Sequence, residues 1–537
     1  MHTSHRVAPA RLPLALALSL ALASPLADRA ASAAPADAYA MRMALRQARP
    51  PAATARPAKA APAGTTRMVT SCADDDDPGT LRNVIAGAAE GDIVDLSALT
   101  CSTITLTRGE IDTSVLGDNP LYDITLQGPG RDALTIDANG LSQAFVVGGF
   151  SSDTGTFTLN DLSVANGRYD GSLAACILGF GGAVELNRVT VSNCHSSGTQ
   201  KLVFGGAVDV MTLRMTDSAI TGSSLTATGV NGTGIGGGAY ATGDAELVRS
   251  TVSGNSVVAP WGERDGYITR GGGLYVRGNL DLVDSTVSGN SISAGNDGES
   301  AGGGGIYVRG VASIRGSTIS GNSTDGIGGG VFKAVFSIWG DPPPPQDTRL
   351  DLVNSTVSGN SSADGGGIAS RRPTGVWNST VAFNEAAGGG GGILLQTTGA
   401  DGAEGALELQ SSIVAGNADG TGANDIGADA ALVIGGADSL AMAADALLEL
   451  PADTVREDPR LSPLADNGGT TRTHALEAGS PALDAGNNVA LLDFDQRGEG
   501  FPRVAGSAAD IGAFEQPGAP DDDGIFQDGF DGAPPLR

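Results

Sequence analysis

The sequence predicts an all-β protein built as a parallel β-helix, a solenoid in which short strands coil around one axis. The first observation is a repeated phrase, STVSGNS or a close variant, which begins at Ser250, Ser285, Ser317, Ser355, Ser379 and Ser412. The second is a glycine run whose last glycine stands 17 residues before the asparagine of that phrase in four repeats. The third is composition, because the repeats are rich in Val, Ile, Thr and Ser, which favour strands.

Two aliphatic columns appear when the repeats are aligned on the asparagine of SGN. The residues eight positions before it are Leu247, Leu282, Ile314, Leu352, Val376 and Leu409, and those three positions before it are Val252, Val287, Ile319, Val357, Val381 and Val414. Aliphatic residues at the same offsets in every repeat predict interior columns. The asparagines predict a further column at a bend, where the amides of stacked coils bond one another. They are Asn255, Asn290, Asn322, Asn360, Asn384 and Asn417.

Repeat length indicates where the loops lie. Successive asparagines are 35, 32, 38, 24 and 33 residues apart, and the shortest unit cannot hold a helix pair. The interval from an asparagine to the next glycine run varies, so we expect insertions on that side of each coil. The segment 331–347 carries a polyproline stretch and is predicted as an exposed loop. The calcium-binding nonapeptide repeat is excluded, because the glycine runs lead into aliphatic and aromatic residues.

The N-terminus has the features of an export signal. His5, Arg6 and Arg11 flank the start of the apolar run 12–23, which has signal-peptide length and is short for a membrane span. We expect residues 1–33 to be a signal peptide, with a membrane anchor as the alternative. The Ala- and Pro-rich residues 34–68 are predicted to be a disordered leader. No later segment reaches the ~18 apolar residues of a transmembrane helix, so we expect no span in the mature chain.

Four cysteines, Cys72, Cys101, Cys176 and Cys194, permit two disulfides in an exported chain. Proximity in the sequence favours Cys72–Cys101 and Cys176–Cys194 among the three possible connectivities. Zinc is the alternative, but the chain has no C-x2-C pair, and only His195 and His474 follow the predicted signal. We therefore expect no metal and no cofactor.

The two ends resemble those of a family of exported bacterial proteins. TLRNVI, residues 80–85, stands in degenerate form where such proteins carry a CSLREA-like N-terminal motif. DPRLSPLADNGGTTRTHALEAGSPALDAGN, residues 458–487, with DQRG at 495–498 and DIGAFE at 510–515, resembles the choice-of-anchor Q domain. The resemblance implies a right-handed β-helix that is secreted or associated with the outer surface of a Gram-negative bacterium. It implies no catalytic residue.

These observations divide the chain into segments. The predicted segments after the leader are an N-terminal cap with the first coils at 69–150, the repeats at 151–450, a C-terminal capping or anchor module at 451–516, and an acidic flexible tail at 517–537. A cap is needed because each end of a β-helix exposes unpaired strand edges. Within the module, a hydrogen-bond network that fixes turns is expected from Asp484, Asp495, Arg497 and Asp510.

Two charged columns are candidate binding sites. Glu246 and Asp281 stand one residue before the first aliphatic column, and they would lie on adjacent coils about 4.8 Å apart. Arginines stand four residues after three of the glycine runs, at Arg277, Arg309 and Arg371. In the first two of these repeats a tyrosine stands two positions before the arginine, at Tyr275 and Tyr307. Arginine beside tyrosine can hold an anionic or carbohydrate ligand. The alternative for both columns is an exposed surface whose charges balance.

Charge and motifs restrict the function. The net charge of −28 disfavours nucleic acid and anionic membranes as partners. Serine-triad catalysis lacks a G-x-S-x-G motif, and the acidic runs at 74–77 and 521–523 are typical of exposed loops. We predict a non-enzymatic exported scaffold that binds a glycan or cell-surface ligand through its variable loops. The alternative is a polysaccharide lyase or glycoside hydrolase that uses carboxylates on one face.

Overall fold

The computed structural model describes most of the chain after the predicted leader. The described residues are 64–113, 123–148, 155–179, 182–199, 202–229, 232–260, 269–295, 301–334, 348–396 and 406–517. The predicted signal peptide, all but the end of the leader, and the tail from residue 518 lie outside them, as does 335–347 of the predicted proline-rich loop. The first three residues of that loop, Val331–Lys333, are instead a buried strand.

Three long parallel sheets run through the coils between Thr66 and Ala441, and each coil between the terminal ones contributes one strand to each sheet. Sheet 1 consists of Thr66–Met68, Ile93–Asp95, Ile124–Gln127, Thr156–Asn160, Ala183–Asn187, Thr212–Thr216, Ala245–Val248, Leu280–Val283, Ala312–Arg315, Leu350–Val353, Thr374–Trp377, Leu407–Gln410 and Gly435–Ala437. Sheet 2 consists of Thr103–Thr105, Thr135–Asp137, Ser163–Ala165, Thr190–Ser192, Ala219–Thr221, Thr251–Ser253, Thr286–Ser288, Thr318–Ser320, Thr356–Ser358, Thr380–Ala382, Ile413–Ala415 and Leu440–Ala441. Sheet 3 consists of Ile111–Asp112, Phe145–Val147, Ile177–Gly179, Val208–Val210, Ala239–Ala241, Leu274–Val276, Ile306–Val308, Val331–Lys333, Ile368–Ser370, Ile393–Leu395 and Ile426–Ala428.

Shorter sheets complete the coils. Sheet 4 consists of Arg168–Asp170, His195–Gly198, Ser224–Ala227, Ser256–Val258, Ser291–Ser293, Ser323–Thr324, Ser361–Ser362, Glu385–Ala386, Ala418–Asp419 and Gly422–Ala423, of which the last pair is antiparallel. Sheet 5 consists of Leu202–Phe204, Thr233–Ile235, Thr269–Arg270 and Ala301–Gly302. Leu432–Val433 pairs with Leu448–Glu449. The chain follows sheet 1, sheet 2, sheet 4, sheet 5 where it is present, and sheet 3, which confirms the predicted parallel β-helix.

The core lies inside the coil, because alternate strand residues point to opposite faces of a sheet. Both predicted aliphatic columns are buried there, from Leu247 and Val252 through Leu409 and Val414. Their strands align without slip, so that Val252, for example, pairs with Val287. One continuous hydrophobic core therefore extends from the N-terminal coils to the last ones.

The corner between sheet 1 and sheet 2 explains why the repeated phrase begins with serine. The residue before that serine has a left-handed backbone in six repeats, and it is Arg249, Asp284, Gly316, Asn354, Asn378 or Ser411. The buried serine then accepts a hydrogen bond from the backbone N–H of the preceding coil's serine. Ser250 N donates to Ser285 Oγ at 2.9 Å, and Ser285 N donates to Ser317 Oγ at 3.0 Å.

The six predicted asparagines form one buried ladder at the corner between sheet 2 and sheet 4. Each Nδ2 donates to Oδ1 of the next asparagine at 2.9 to 3.0 Å, from Asn255 to Asn417. The ladder ends on Asp425, whose Oδ1 accepts from both N and Nδ2 of Asn417 at 2.9 Å. A carboxylate suits this last position because it only needs to accept.

The glycine run lies against this ladder, and each of its three glycines has its own steric reason. Gly271 has a φ of +65°, which favours glycine. A Cβ on Gly272 would stand 2.3 Å from the Gly304 carbonyl oxygen. A Cβ on Gly273 would stand 2.9 Å from Cγ of Asn290. The fixed distance between the glycine run and the asparagine in the sequence therefore reflects direct packing.

A short helix covers the N-terminal end of the core. Helix α1, Leu81–Ala86, begins at Thr80, whose side chain accepts from Asn83 N. Leu81 and Ile85 face the interior and are fully buried. The disulfide Cys72–Cys101 joins this region to the first coil, and Cys176–Cys194 forms within the core, as predicted. Both bonds indicate an oxidising, extracytoplasmic compartment.

The C-terminal module, residues 451–516, packs along the side of sheet 2. Four outward hydroxyls of that sheet bond it: Thr318 Oγ1 to the Arg472 carbonyl at 2.6 Å, Thr356 Oγ1 to Gln496 Oε1 at 2.6 Å, Ser358 Oγ to His474 Nε2 at 2.8 Å, and Thr380 Oγ1 from Ala513 N at 3.1 Å. Apolar contacts continue onto Ile413 and Leu440. The sequence predicts a cap at the end of the stack. At that end Val455 of the module bridges Leu440 of the last sheet 2 strand, and the module also covers a sheet face along successive coils.

Loop lengths divide the corners into constant and variable ones. Two residues separate each sheet 1 strand from the following sheet 2 strand, and each sheet 2 strand from the following sheet 4 strand, in nine coils from Thr156 to Asp419. The connection into sheet 3 varies, for example 259–273 in one coil and 387–392 in another. The connection from sheet 3 to sheet 1 varies too, from 371–373 to 334–349. The sequence predicts the variable connection into sheet 3. The structure shows that the connection from sheet 3 to sheet 1 is variable as well.

Candidate functional site

The predicted acidic column lies on the outer face of sheet 1. Glu246 and Asp281 are partners in adjacent parallel strands, as the repeat alignment predicts, and both are partly exposed. Arg214 precedes them in the same column and Ser313 follows. Parallel partners lie about 4.8 Å apart at the backbone, so the two carboxylates face solvent side by side.

Arginines neutralise most of this column. Arg315 Nη2 donates to both carboxylate oxygens of Asp281, at 2.9 and 3.0 Å. Arg214 Nη1 donates to Glu185 Oε1 at 2.9 Å. The column runs Glu185, Arg214, Glu246, Asp281 and Ser313 along the stack, and arginines pair with two of its three carboxylates.

The predicted tyrosines do not form a surface binding site. Tyr275 and Tyr307 are fully buried, because sheet 5 lies over the outer face of sheet 3 and encloses a second apolar layer with them. Five rings form a row through this layer, with neighbouring centroids 4.9 to 5.4 Å apart and the last pair edge to face: Phe204, Tyr240, Tyr275, Tyr307 and Phe332. Burial raises the pKa of Tyr275 to about 12. Their role is packing between two sheets.

The three predicted arginines have different surroundings. Arg309 is 2% exposed and is therefore also not a surface ligand contact. Arg277 and Arg371 are partly exposed and begin the corner that leads from sheet 3 to sheet 1. Arg371 Nε donates to Gln396 Oε1 at 2.6 Å, and its guanidinium lies 5.5 Å from the Phe332 ring centroid. Of the three predicted arginines, Arg277 and Arg371 are the ones whose side chains are partly exposed at that corner.

A buried cation beside Arg309 has no counterpart in the sequence prediction. Lys333 aligns with the interior residue Val308, is fully buried, and donates from Nζ to the Arg309 carbonyl at 2.6 Å. Burial, together with the charges of Arg372 and Arg309, lowers the pKa of Lys333 to about 7. In the sequence, VFK is typical of the start of a loop, so the burial of Lys333 is evident only from the strand register.

Ion pairs also line the constant corner between sheets 1 and 2. Arg188 bonds both oxygens of Asp161 at 2.6 and 2.7 Å, and Arg249 bonds both oxygens of Asp217 at 2.7 and 3.0 Å. The hydrogen bonds from Arg188 and Arg249 lower the pKa of Asp161 and Asp217 respectively. These pairs tie neighbouring coils together at their left-handed corner residues.

Ser358 and His474 have the geometry of a nucleophile and a base. His474 Nε2 lies 2.8 Å from Ser358 Oγ, and Nδ1 lies 2.7 Å from the Ser462 carbonyl oxygen. Both side chains are less than 5% exposed, and the pair is one of the four hydroxyl contacts that dock the C-terminal module. Burial lowers the pKa of His474. The contact is a structural one between module and sheet.

The four polar residues predicted to fix turns in the module do so. Arg497 bonds Asp495, at 2.6 Å from Nη2 to Oδ2, and its guanidinium lies between the rings of Phe501 and Phe514, 4.0 and 3.9 Å from their centroids. Asp510 Oδ1 accepts from Asp484 N at 2.7 Å. Asp495, Arg497 and Asp510 are buried and Asp484 is exposed, in a module whose described residues form isolated β-bridges and no strand.

The acidic run at 74–77 folds into turns, in which Asp74 is bonded by Arg82 and Asp77 Oδ1 accepts from Gly79 N at 2.7 Å. Within the described ranges, no group of three or more His, Cys, Asp and Glu side chains could hold a metal ion. The same ranges contain no helix with the length and hydrophobicity needed to cross a membrane.

Known proteins provide a likeness in fold. No protein-family model matches the sequence, and no curated protein matches it, so the resemblance of the two ends to exported anchor proteins stays a prediction. The crystal structure of pectate lyase Pel9A is similar to this chain with a TM-score of 0.33 and 13% identity, covering 85% of this chain and 97% of that chain. A likeness at this level concerns the backbone fold and carries no information on activity.

Proposed function

We propose that this chain is an exported β-helix scaffold that binds neutral glycans at the corner between sheet 3 and sheet 1, on the outer surface of a Gram-negative cell. The observation that carries the proposal is the division of each coil into constant and variable corners. Two corners keep the same length in nine coils, whereas both corners beside sheet 3 vary. In a solenoid, constant corners maintain the stack and variable ones present binding residues.

The side chains at this corner suit a polyhydroxyl ligand. Arg277 and Arg371 stand at its start, and Glu246 and Asp281 lie on the adjoining face of sheet 1. Guanidinium groups donate to sugar oxygens, and carboxylates accept from sugar hydroxyls. A chain with a net charge of −28 repels a polyanion. The charge pattern therefore favours neutral over acidic glycans.

The location is supported by the covalent structure. Two disulfides are expected of a protein that folds outside the reducing cytoplasm. Together with the export signal predicted at residues 1–33, they favour a secreted or surface-attached protein.

Glycan binding is tested with the purified mature chain on an array of neutral and acidic glycans. We expect selective retention of neutral glycans and, in the variant Arg277→Glu/Arg371→Glu, at least ~10-fold weaker binding, since two donors are replaced by acceptors of opposite charge. Arg168→Glu on sheet 4 is the control and should bind as the unmodified chain does. Equal losses in both variants, or a preference for acidic glycans, would overturn the proposal.

A hydrolase or lyase is the second candidate, favoured by the side-by-side placement of Glu246 and Asp281. Paired carboxylates about 5 Å apart are the arrangement of retaining glycosidases. The bidentate contact from Arg315 opposes this reading, because it holds Asp281 in a fixed ion pair. A panel of neutral and acidic polysaccharides distinguishes the two. Release of reducing or unsaturated ends that is lost in Asp281→Ala would establish the enzyme and remove the scaffold proposal.

A further inference from the structure

The outer face of sheet 2 is divided into a covered part and an open part with nearly the same residues. The row that contains Thr251 and Thr286 continues in register to Thr318, Thr356 and Thr380. The C-terminal module covers the row from Thr318 onward, where the threonines are at most 2% exposed. The preceding coils of the row are partly exposed to solvent.

We call the open part the open hydroxyl face. It consists of the first and third residues of the strands Thr190–Ser192, Ala219–Thr221, Thr251–Ser253 and Thr286–Ser288, since the middle residue of each is buried in the core. Seven of these eight outward residues carry a hydroxyl, and the other is Ala219. None is charged, although the chain has 60 acidic and 32 basic residues.

The hydroxyls of the two parts differ in their partners. In the covered part, Thr318, Thr356, Ser358 and Thr380 each bond a group of the C-terminal module. In the open part, the seven hydroxyls make no side-chain hydrogen bond within the described residues. The covered part of this row therefore binds another segment of the same chain, and the open part presents similar residues on four preceding coils.

We propose that the open hydroxyl face binds the same face of a second copy of this chain. Its rows repeat at the coil spacing of about 4.8 Å, and an identical chain has rows of the same spacing, so hydroxyls can meet hydroxyls along several coils at once. A two-fold axis makes such a contact self-complementary. The absence of charge matters most, because two chains of net charge −28 can approach only where no carboxylates oppose one another. This association is independent of the proposed glycan binding.

The test is the association state of the full mature chain by analytical ultracentrifugation over a range of concentrations. We expect a reversible monomer–dimer equilibrium that strengthens as NaCl is raised, since salt screens the repulsion between the two acidic chains. Thr221→Glu/Ser288→Glu adds four carboxylates to the dimer interface and should weaken association at least ~10-fold. Circular dichroism and thermal unfolding establish that each variant is folded.

The matched control is Thr216→Glu/Val283→Glu, which adds the same charges to the same two coils on the outer face of sheet 1. It should associate as the unmodified chain does. Equal weakening in both variants would overturn the proposal, because net charge and not the face would then be responsible. A chain that stays monomeric at every concentration and salt level would also overturn it. So would binding of the monomer to an insoluble neutral polysaccharide through this face. The salt dependence is measured on the unmodified chain, so this part of the test does not depend on the folding of a variant.

Discussion

The asparagine of the repeat joins three coils through a single side chain. Asn322 donates from Nδ2 to the Val287 carbonyl of the coil below at 3.0 Å and to Asn360 Oδ1 of the coil above at 2.9 Å. Its own Oδ1 accepts from N and Nδ2 of Asn290, at 3.0 and 2.9 Å. Every polar atom of a buried amide is thus satisfied, which burial requires.

Asn322→Ala is expected to lower the free energy of unfolding by about 3 kcal/mol, because it leaves buried groups of Asn290 and Val287 without partners. Urea denaturation gives the overall loss, and hydrogen exchange should show faster opening of the coils on either side, since solenoid repeats are stabilised by their nearest neighbours. Ser293→Ala, at an exposed serine of sheet 4, is the control and should change little. An unchanged denaturation midpoint for Asn322→Ala would contradict the role of the ladder.

Asp209 makes stability depend on pH. It lies between Leu178 and Tyr240 in the outward column of sheet 3, and burial raises its pKa to about 7. A carboxyl group whose pKa is higher in the folded chain stabilises the fold at low pH, and this stabilisation is lost as the pH rises to the folded pKa.

Relative to Asp209→Asn, the unmodified chain should therefore lose stability between about pH 4 and pH 7, by up to roughly 4 kcal/mol in total. Thermal unfolding of both proteins across this range measures the difference. A difference that does not change with pH would contradict the burial of an ionisable carboxyl group at this position.

The role of a residue could be predicted from the sequence where its local pattern recurs from repeat to repeat. The asparagine ladder was predictable because an amide can donate and accept at once between stacked coils, and the spacing of the asparagines recurs. The burial of Tyr275 and Tyr307 was not predictable. Their outward direction follows from strand alternation, but the four strands of sheet 5 that cover them share no sequence motif. The role of the serine column could not be predicted, because a serine before Thr-Val is equally typical of the first residue of a strand.

At the scale of elements, Gln496 is the central contact between the C-terminal module and sheet 2. Its Oε1 accepts from Thr356 Oγ1 at 2.6 Å, and its Nε2 lies 2.9 Å from both Thr318 Oγ1 and Thr471 Oγ1. The side chain is 1% exposed. It therefore reaches two successive coils of the sheet and the module at once.

Gln496→Ala is expected to loosen the module while the coils stay folded, because the Thr356 hydroxyl loses its acceptor and the Thr318 and Thr471 hydroxyls each lose a donor. Limited proteolysis should cut between residues 451 and 516 at least ~10-fold faster, the equivalent of about 1.4 kcal/mol in the opening equilibrium. Glu499→Ala, at an exposed residue of the same segment, serves as the control. Cleavage at the same rate in both variants would show that the docking does not depend on this glutamine.

The sequence could not predict which coils the module covers, and the repeats show why. Thr286 lies open and Thr318 lies covered, yet both belong to nearly identical phrases, STVSGNS and STISGNS. A regular sheet face carries no local mark of where another element will dock. The turns of the module were predictable, however, since Asp495 and Arg497 stand two residues apart and bond each other.

At the scale of the molecule, each coil should be removable as a unit. Deleting residues 291–322, the 32 residues that separate Asn290 from Asn322, joins Asn290 to Ser323 and keeps every column in register. Thr286 then takes the place of Thr318 beneath the module. We expect this shortened chain to fold with the same far-ultraviolet circular dichroism per residue, because contacts in a solenoid are made between adjacent repeats.

Deleting residues 291–306, half of that unit, is the counterpart. It shifts every following strand to a different sheet, so we expect aggregated or unfolded protein on size-exclusion chromatography. If the half-coil deletion folds as well as the full-coil deletion, the register of the columns is not what specifies this fold.

The sideways placement of the C-terminal module has a consequence for the order of events in the cell. A chain that emerges from its N-terminus stacks its coils first, and the module is the last part to arrive. It can dock only if Thr318, Thr356 and Thr380 already stand in line on three successive coils. A stack that has slipped by one residue turns these hydroxyls inward. Docking of the module therefore depends on the register of the coils before it, because its hydrogen bonds need these three hydroxyls on the outer face.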